Sequence, residues 1–182
     1  MSAIRVLICD DHPIVRQGVR SVLANHPDIQ VVGEAENASS LFATIDSVKP
    51  DVVLVDIRMP GQGGIEITQR LKRDSPNIKI IVLSTYDDDE YLFGALRAGA
   101  EGYLLKSASQ EVLADAIRQV GRGERLLSPN LMGKVMREFR DMAKDKARAE
   151  SGLTDQEVQV LQMIASGATN KEIAEKLYWS EV

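Results

Sequence analysis

Four places far apart in the chain close a short apolar run with residues that can do chemistry. They are Asp10 and Asp11 in "ICDDHP", Asp56 in "VVLVD", Ser84 in "IIVLS" and Lys106 in "GYLLK". Three carboxylates brought within ~4–6 Å of one another repel by about 4 kcal/mol per close pair at an effective dielectric near 20. Lys106 offsets part of this. A hard divalent cation that prefers oxygen ligands, such as Mg²⁺, would offset the rest. Asp10 and Asp11 then form one wall of a metal site. A carboxylate beside Mg²⁺ and a lysine is placed to attack a phosphoryl group, because both cations stabilise the equatorial oxygens in the transition state, and an aspartyl phosphate results. Asp56 is the candidate nucleophile and Ser84 a candidate hydrogen-bond donor to a phosphoryl oxygen. The loop after Asp56, "IRMPGQGG", carries Pro60, Gly61, Gly63 and Gly64, which let backbone groups approach the site.

The elements that must position these residues are legible as five apolar runs, "IRVLIC", "IQVVGEA", "DVVLVD", "IKIIVLS" and "EGYLLK", alternating with amphipathic segments. The runs lack polar alternation, as strands covered on both faces do. Ile14, Val15, Gly18, Val19, Val22 and Leu23 recur at helical spacing, and so do Val112, Leu113, Ala116, Ile117 and Val120. Five βα units in succession predict an α/β fold, a doubly wound five-stranded parallel sheet with helices on both faces. Ligands of such sheets bind outside the carboxyl ends of the strands, where the five residues fall.

The pattern ends near Gly121–Gly123. "SPNLMGKVMREFRDM" predicts a linker helix with Pro129 in its first turn. Its apolar stripe, Met132, Val135, Met136, Phe139 and Met142, fits packing on a domain or a contact between two copies. "DMAKDKARAE" reads as an exposed hinge. In the last block, Thr154 and Glu157 have capping-box spacing, and Val158, Leu161, Ile164 and Ala165 give one helix an apolar face. Gly167 stops it, and Thr169 or Asn170 caps a second helix with Ile173, Ala174 and Leu177. The boundaries expected are 1–122, a linker at 123–151, and a small all-α block at 152–182.

The chain has 182 residues, 44% of them hydrophobic and 27% charged, with a net charge of −5. This excludes a protein that coats nucleic acid, but not a local DNA-binding face. The lone cysteine, Cys9, lies in an apolar run and reads as a buried, inert thiol. With no disulfide possible within the chain, no signal peptide and no apolar run near ~18 residues, a cytoplasmic protein off the membrane is expected.

"ICDDHPIVRQG", "VVLVDIRMPGQGGIE", "IIVLSTYDDDEY" and "ALRAGAEGYLLK" resemble the receiver (flavodoxin-like) domain of bacterial response regulators. "LTDQEVQVLQMIASGATNKEIAEKL" resembles the start of a LuxR-type helix-turn-helix. Together they are similar to the NarL/FixJ subfamily of two-component transcription regulators. The resemblance implies that Asp56 is phosphorylated by a sensor histidine kinase, and that Asp11, Asp56 and the backbone carbonyl of Arg58 hold Mg²⁺, with Asp10 near the metal or acting through water. It implies that Ser84 and Lys106 sense the phosphate and that Tyr103 is an aromatic switch turning inward. It further implies homodimers on phosphorylation, promoter DNA as the target of the full-length protein, and at most slow self-dephosphorylation rather than enzymatic turnover. Two positions depart from the family pattern. Ser107 follows Lys106 where many receivers carry proline, and Gly63 stands where Asp or Asn is frequent.

Two other classes are weighed. A Mg²⁺-dependent phosphatase with an aspartate nucleophile needs a second acid two residues on, and Arg58 stands there. A pure interaction module would dispense with Asp56, Lys106 or the acidic pair, and all are present. Beyond the last capping signal, Trp179 to Val182 are too few for a recognition helix. In that block Asp155, Glu157, Glu172, Glu175 and Glu181 outnumber Lys171 and Lys176, the wrong sign for a DNA footprint. The expectation is a partial helix-turn-helix that does not bind DNA by itself.

Overall fold

The computed structural model describes residues 3–126, 131–140, 142, 152, 154–167 and 169–176. Two compact units are present, Met1–Val135 and Met136–Val182. The first contains the five βα units predicted: β1 (Ile4–Cys9), α1 (Pro13–Leu23), β2 (Ile29–Ala35), α2 (Ala38–Val48), β3 (Val52–Asp56), α3 (Gly64–Asp74), β4 (Lys79–Ser84), α4 (Asp89–Arg97), β5 (Gly102–Leu105) and α5 (Gln110–Gly121). All strand pairs are parallel, in the order β2-β1-β3-β4-β5.

The apolar runs lack alternation because both faces of the sheet are covered. Leu7, Cys9, Val53, Val55, Ile80 and Val82 point to one face and pack with Leu41, Ile45, Ile67, Leu71, Leu92 and Ala95 of α2, α3 and α4. Their neighbours Val6, Ile8, Val52, Leu54, Ile81 and Leu83 point the other way, against Leu23 of α1 and Ala114, Ile117 and Val120 of α5. This is the two-residue period of a strand distributing one sequence between two cores.

Register then fixes the site. Cys9 pairs with Val55, so Asp10 follows beside Asp56. Asp56 pairs with Leu83 and Ser84 with Leu105, so Ser84 and Lys106 fall in the same row. Backbone bonds continue past the strand ends: Asp10 N–H donates to Ala35 O (3.1 Å), Ile57 N–H to Leu83 O (2.8 Å) and Lys106 N–H to Ser84 O (2.7 Å). The loop after Asp56 is closed by Gly64 N–H donating to Ile57 O (3.0 Å), with Gly61 in the left-handed region (φ 83°). No cis peptide occurs among the described residues, so the bond after Lys106 is trans.

Helix α6, residues 131–140, follows. Leu131 is buried in the core cluster that contains Tyr103, and Val135 packs against that cluster. Met132, Met136, Phe139 and Met142 are exposed. Of the expected stripe only Val135 joins this core, because the packed side of the helix is the one bearing Leu131, a position the stripe omitted. The second unit holds α7 (Asp155–Ala165) and α8 (Asn170–Lys176). The Thr154–Glu157 capping box forms as expected. Thr169, not Asn170, caps α8, through a reciprocal bond with Glu172. Gly167 ends α7 at φ 84°. The helix start at Pro129, the charged stretch 143–150, Leu177 and Trp179 lie outside the described residues. No described helix is long and apolar enough to cross a membrane.

Gly64 is required sterically. A Cβ there would run into the Asp56 carbonyl and come within 2.9 Å of Ile57 Cα. Gly64→Ala should therefore cost about 2–3 kcal/mol, as overpacking against backbone does. Gly18→Ala, in α1 with nothing within 4 Å of the new methyl, should instead gain ~0.5–1 kcal/mol. Urea unfolding midpoints of the two variants check both signs.

Candidate functional site: an acidic pocket at the sheet edge

The sheet brings Asp10, Asp11 and Asp56 together with Lys106. Asp10 and Asp56 are buried, and Ser84 beside them is buried too. Lys106 Nζ donates to Asp10 Oδ2 at 2.7 Å and lies 2.9 Å from Asp56 Oδ1. Asp10 Oδ1 accepts the His12 backbone N–H at 2.9 Å, which turns the chain from β1 into α1. Arg16 secures the same strand end by donating from Nη1 to the Asp10 carbonyl at 2.6 Å.

Burial pushes the Asp56 carboxyl above its ordinary value. Lys106 and the Arg58 backbone N–H pull the other way and do not fully compensate. Burial likewise draws the Lys106 ammonium down, but its hydrogen bonds to Asp10 and Asp56 outweigh this, and its pKa is raised.

Three carboxylates against one ammonium leave two negative charges unbalanced. One oxygen from each of Asp10, Asp11 and Asp56, with a nitrogen of His12, lie within 4.8 Å of one another. Like charges at that separation repel by roughly 3 kcal/mol at an effective dielectric near 20. Asp11 Oδ1 is a buried oxygen without a hydrogen bond. His12 Nδ1 lies 2.8 Å from it. A buried, unbonded carboxylate oxygen beside two further carboxylates fits a hard divalent cation in both charge and donor type.

The residues around this pocket form an open cleft of about 310 Å³, lined by His12, Asp56, Arg58, Thr85, Tyr86 and Lys106 among others. The Arg58 guanidinium lies 5.8 Å from the centre of the Tyr86 ring. Ser84 Oγ donates to Tyr86 O (2.8 Å) and accepts from Tyr86 N–H (3.1 Å), so its hydroxyl is held by its own loop. Tyr103 is already turned inward: its ring is fully buried and its hydroxyl lies 3.4 Å from Tyr86 O.

The acidic stretch "YDDDE" starts a helix, as its composition suggests. Asp88 caps α4 by accepting from Glu90 N–H at 2.9 Å, and Asp89 and Glu90 occupy the first turn. Sequence reasoning missed a further role for this stretch. Asp87 and Asp89 both bind Lys134 of α6, and no spacing rule links residues so far apart. His12, at the N-cap of α1, has a mostly exposed side chain that also touches both acids of the pair.

Residues 6–118 match the family model described as "Response regulator receiver domain", and residues 151–182 match "Bacterial regulatory proteins, luxR family". The chain belongs to the LuxR-type response regulators. Relatives match nearly all of it. It is 43% identical over 182 residues to the transcriptional regulatory protein YxjL of Bacillus subtilis, covering 98% of this chain and 83% of that protein. It is 42% identical over 175 residues to the transcriptional regulatory protein LiaR of Bacillus subtilis, covering 96% and 82%. Among solved structures, it is similar to RcsB, solved as two dimers bound to two parallel DNAs, with a TM-score of 0.68 at 29% identity over 98% of this chain and 85% of that one. It is thus a two-component response regulator with a receiver and a LuxR-type DNA-binding domain.

Beneath the acidic pocket, Cys9 is buried, and its thiol is pushed up to about 12 by burial and by Asp10 and Asp56. A response regulator with this thiol should resist iodoacetamide at about pH 8, where a free cysteine is appreciably ionised. Intact mass should show no adduct on the folded protein and a single adduct after unfolding in urea. Rapid native alkylation would show that the strand end opens.

Proposed function

We propose that this response regulator accepts a phosphoryl group on Asp56 from a sensor histidine kinase in the cytoplasm. The observation that supports this most directly is the buried Asp56 carboxylate, 2.9 Å from Lys106 Nζ and open to a cleft. In the reaction a carboxylate oxygen of Asp56 attacks phosphorus in line with the leaving group. The bond to the donor's histidine nitrogen breaks, and the electron pair stays on that nitrogen. The Lys106 ammonium, already hydrogen-bonded to Asp10, lies near enough to contact a phosphoryl oxygen carried by Asp56. Mg²⁺ is the proposed cofactor, held by Asp11, Asp56 and the Arg58 carbonyl, with Asp10 beside it or acting through water. It would supply charge neutralisation of the phosphoryl oxygens.

The domain limits proposed are a receiver at 1–122, a linker at 123–151 and a LuxR-type block at 152–182. After transfer, Ser84 exchanges its Tyr86 partners for a phosphoryl oxygen, and the loop between β4 and α4 moves with it, over the already buried Tyr103. Self-association follows, and in the full-length protein promoter contact follows from that. The likeness to RcsB, solved as dimers on DNA, supports this part of the reading. Loss of the phosphoryl group to water is slow.

Acetyl phosphate with Mg²⁺ tests the acceptor. Wild type should gain the mass of one phosphoryl group, and Asp56→Asn, which keeps shape but lacks the nucleophile, should gain none. Equal labelling of the two would move the site elsewhere. Lys106→Ala separates binding from switching. It should hold Mg²⁺ at least as tightly as wild type, because a competing cation is gone, yet fail to change oligomeric state when phosphorylated. Wild-type behaviour in gel filtration would remove Lys106 from the switch.

A further inference from the structure

The loop that holds Ser84 is itself held from outside the sheet. Lys134 Nζ, on α6, donates to Asp87 Oδ1 at 2.7 Å and lies 2.6 Å from Asp89 Oδ1. The lysine side chain is only 18% exposed. These pairs raise its pKa, the bond to Asp87 contributing most. One turn earlier Leu131 is buried in the cluster that contains Tyr103, and Val135 packs on that cluster from the next position. This part of α6 is therefore fixed by an apolar anchor in that core and a charged grip on the β4–α4 loop. The grip adjoins the group that must move. Tyr86, between Ser84 and Asp87, supplies the N–H and the carbonyl that occupy Ser84 Oγ, and the Tyr103 hydroxyl lies near the same carbonyl.

From this geometry we infer that Lys134 is a clasp which holds the β4–α4 loop in its resting position and is released by phosphorylation. The inference rests on the proposed phosphorylation of Asp56. Ser84 cannot leave Tyr86 for a phosphoryl oxygen while the next residue but two, Asp87, and the first residue of α4, Asp89, stay pinned to a helix seated on the core. A loop displacement that frees Ser84 stretches both ion pairs. By linkage, whatever stabilises the clasp disfavours the phosphorylated state, and phosphorylation weakens the clasp by the same factor. Lys134 acts through the loop and touches no reacting atom, so it is a positioning residue. Its release loosens residues 131–135 of α6 from the receiver, which gives the phosphorylated site a mechanical output within the linker.

The experiment uses the full chain with acetyl phosphate and Mg²⁺, comparing wild type, Lys134→Gln and Lys134→Arg. Initial labelling of K134Q should be faster than wild type by about two- to fivefold, the size a partly exposed ion pair carries. K134R, which keeps the charge, should label near the wild-type rate. In parallel, hydrogen exchange at residues 131–135 should accelerate on phosphorylation of wild type and be already fast in unphosphorylated K134Q. Equal or slower labelling of K134Q, or exchange unchanged by phosphorylation, overturns the clasp while leaving Asp56 as the acceptor. A wild type that takes no label overturns both readings.

Discussion

The ammonium of Lys106 between Asp10 and Asp56 is the interaction on which the receiver unit depends. Two buried carboxylates within a few ångströms of each other are unstable alone, and a single buried ammonium is unstable alone. Together they make a site that still carries excess negative charge, because Asp11 adds a third carboxylate with an unbonded oxygen. The pocket is therefore built short of neutrality. A site already neutralised by lysines would have no affinity for a divalent cation. One with no lysine would keep both acids from ionising so deep in the sheet, as the burial-driven rise of the Asp56 pKa indicates.

That compromise can be met only where backbone geometry is rigid. Each participant stands at or just past the end of a strand, and the main chain there stays tied to a neighbour: Asp10 to Ala35, Ile57 to Leu83, Lys106 to Ser84. The two packed faces of the sheet make these ends stiff, since Val6 to Cys9 and Val52 to Val55 are all buried. Loops supply what rigidity cannot. The β3–α3 loop brings backbone and Arg58 over the pocket, and Gly64 allows it to close onto the Asp56 carbonyl.

Much of this was legible in the sequence, because strands and site share one signal: an apolar run ending on a polar residue. The five strands fall within a residue or two of the runs from which they were read. The convergence of Asp10, Asp11, Asp56, Ser84 and Lys106 follows from parallel topology alone. What escaped was anything decided by choice of face or by distant pairing. Helix α6 carries apolar residues on more than one side. Periodicity selected Met132, Val135, Met136, Phe139 and Met142, whereas packing selected Leu131 and, of that stripe, only Val135. Lys134 was one charge among many in a charged segment, and nothing in its spacing from Asp87 and Asp89 marks them as partners. The resting position of Tyr103 was equally hidden, because a tyrosine at that place in β5 is compatible with either an outward or an inward ring.

The inward Tyr103 limits what the switch can consist of. A ring already fully buried, with its hydroxyl at Tyr86 O, has little further to travel. In the proposed reading, movement must then reside in the partners of Ser84, and those are backbone atoms of the loop between β4 and α4. Backbone in a loop moves by changing dihedral angles over several residues, so it drags its side chains. Here the dragged side chains are carboxylates, and the group they bind sits on α6. A shift at Ser84 becomes a change in electrostatic attraction at Lys134 without passing through the apolar core. A core packed on both faces of the sheet resists graded deformation, whereas ion pairs at its border can lengthen and exchange for water at small cost. In the proposed reading the stiff sheet and the soft charged border divide the work: one would keep the phosphoryl chemistry in register, and the other would be free to report it.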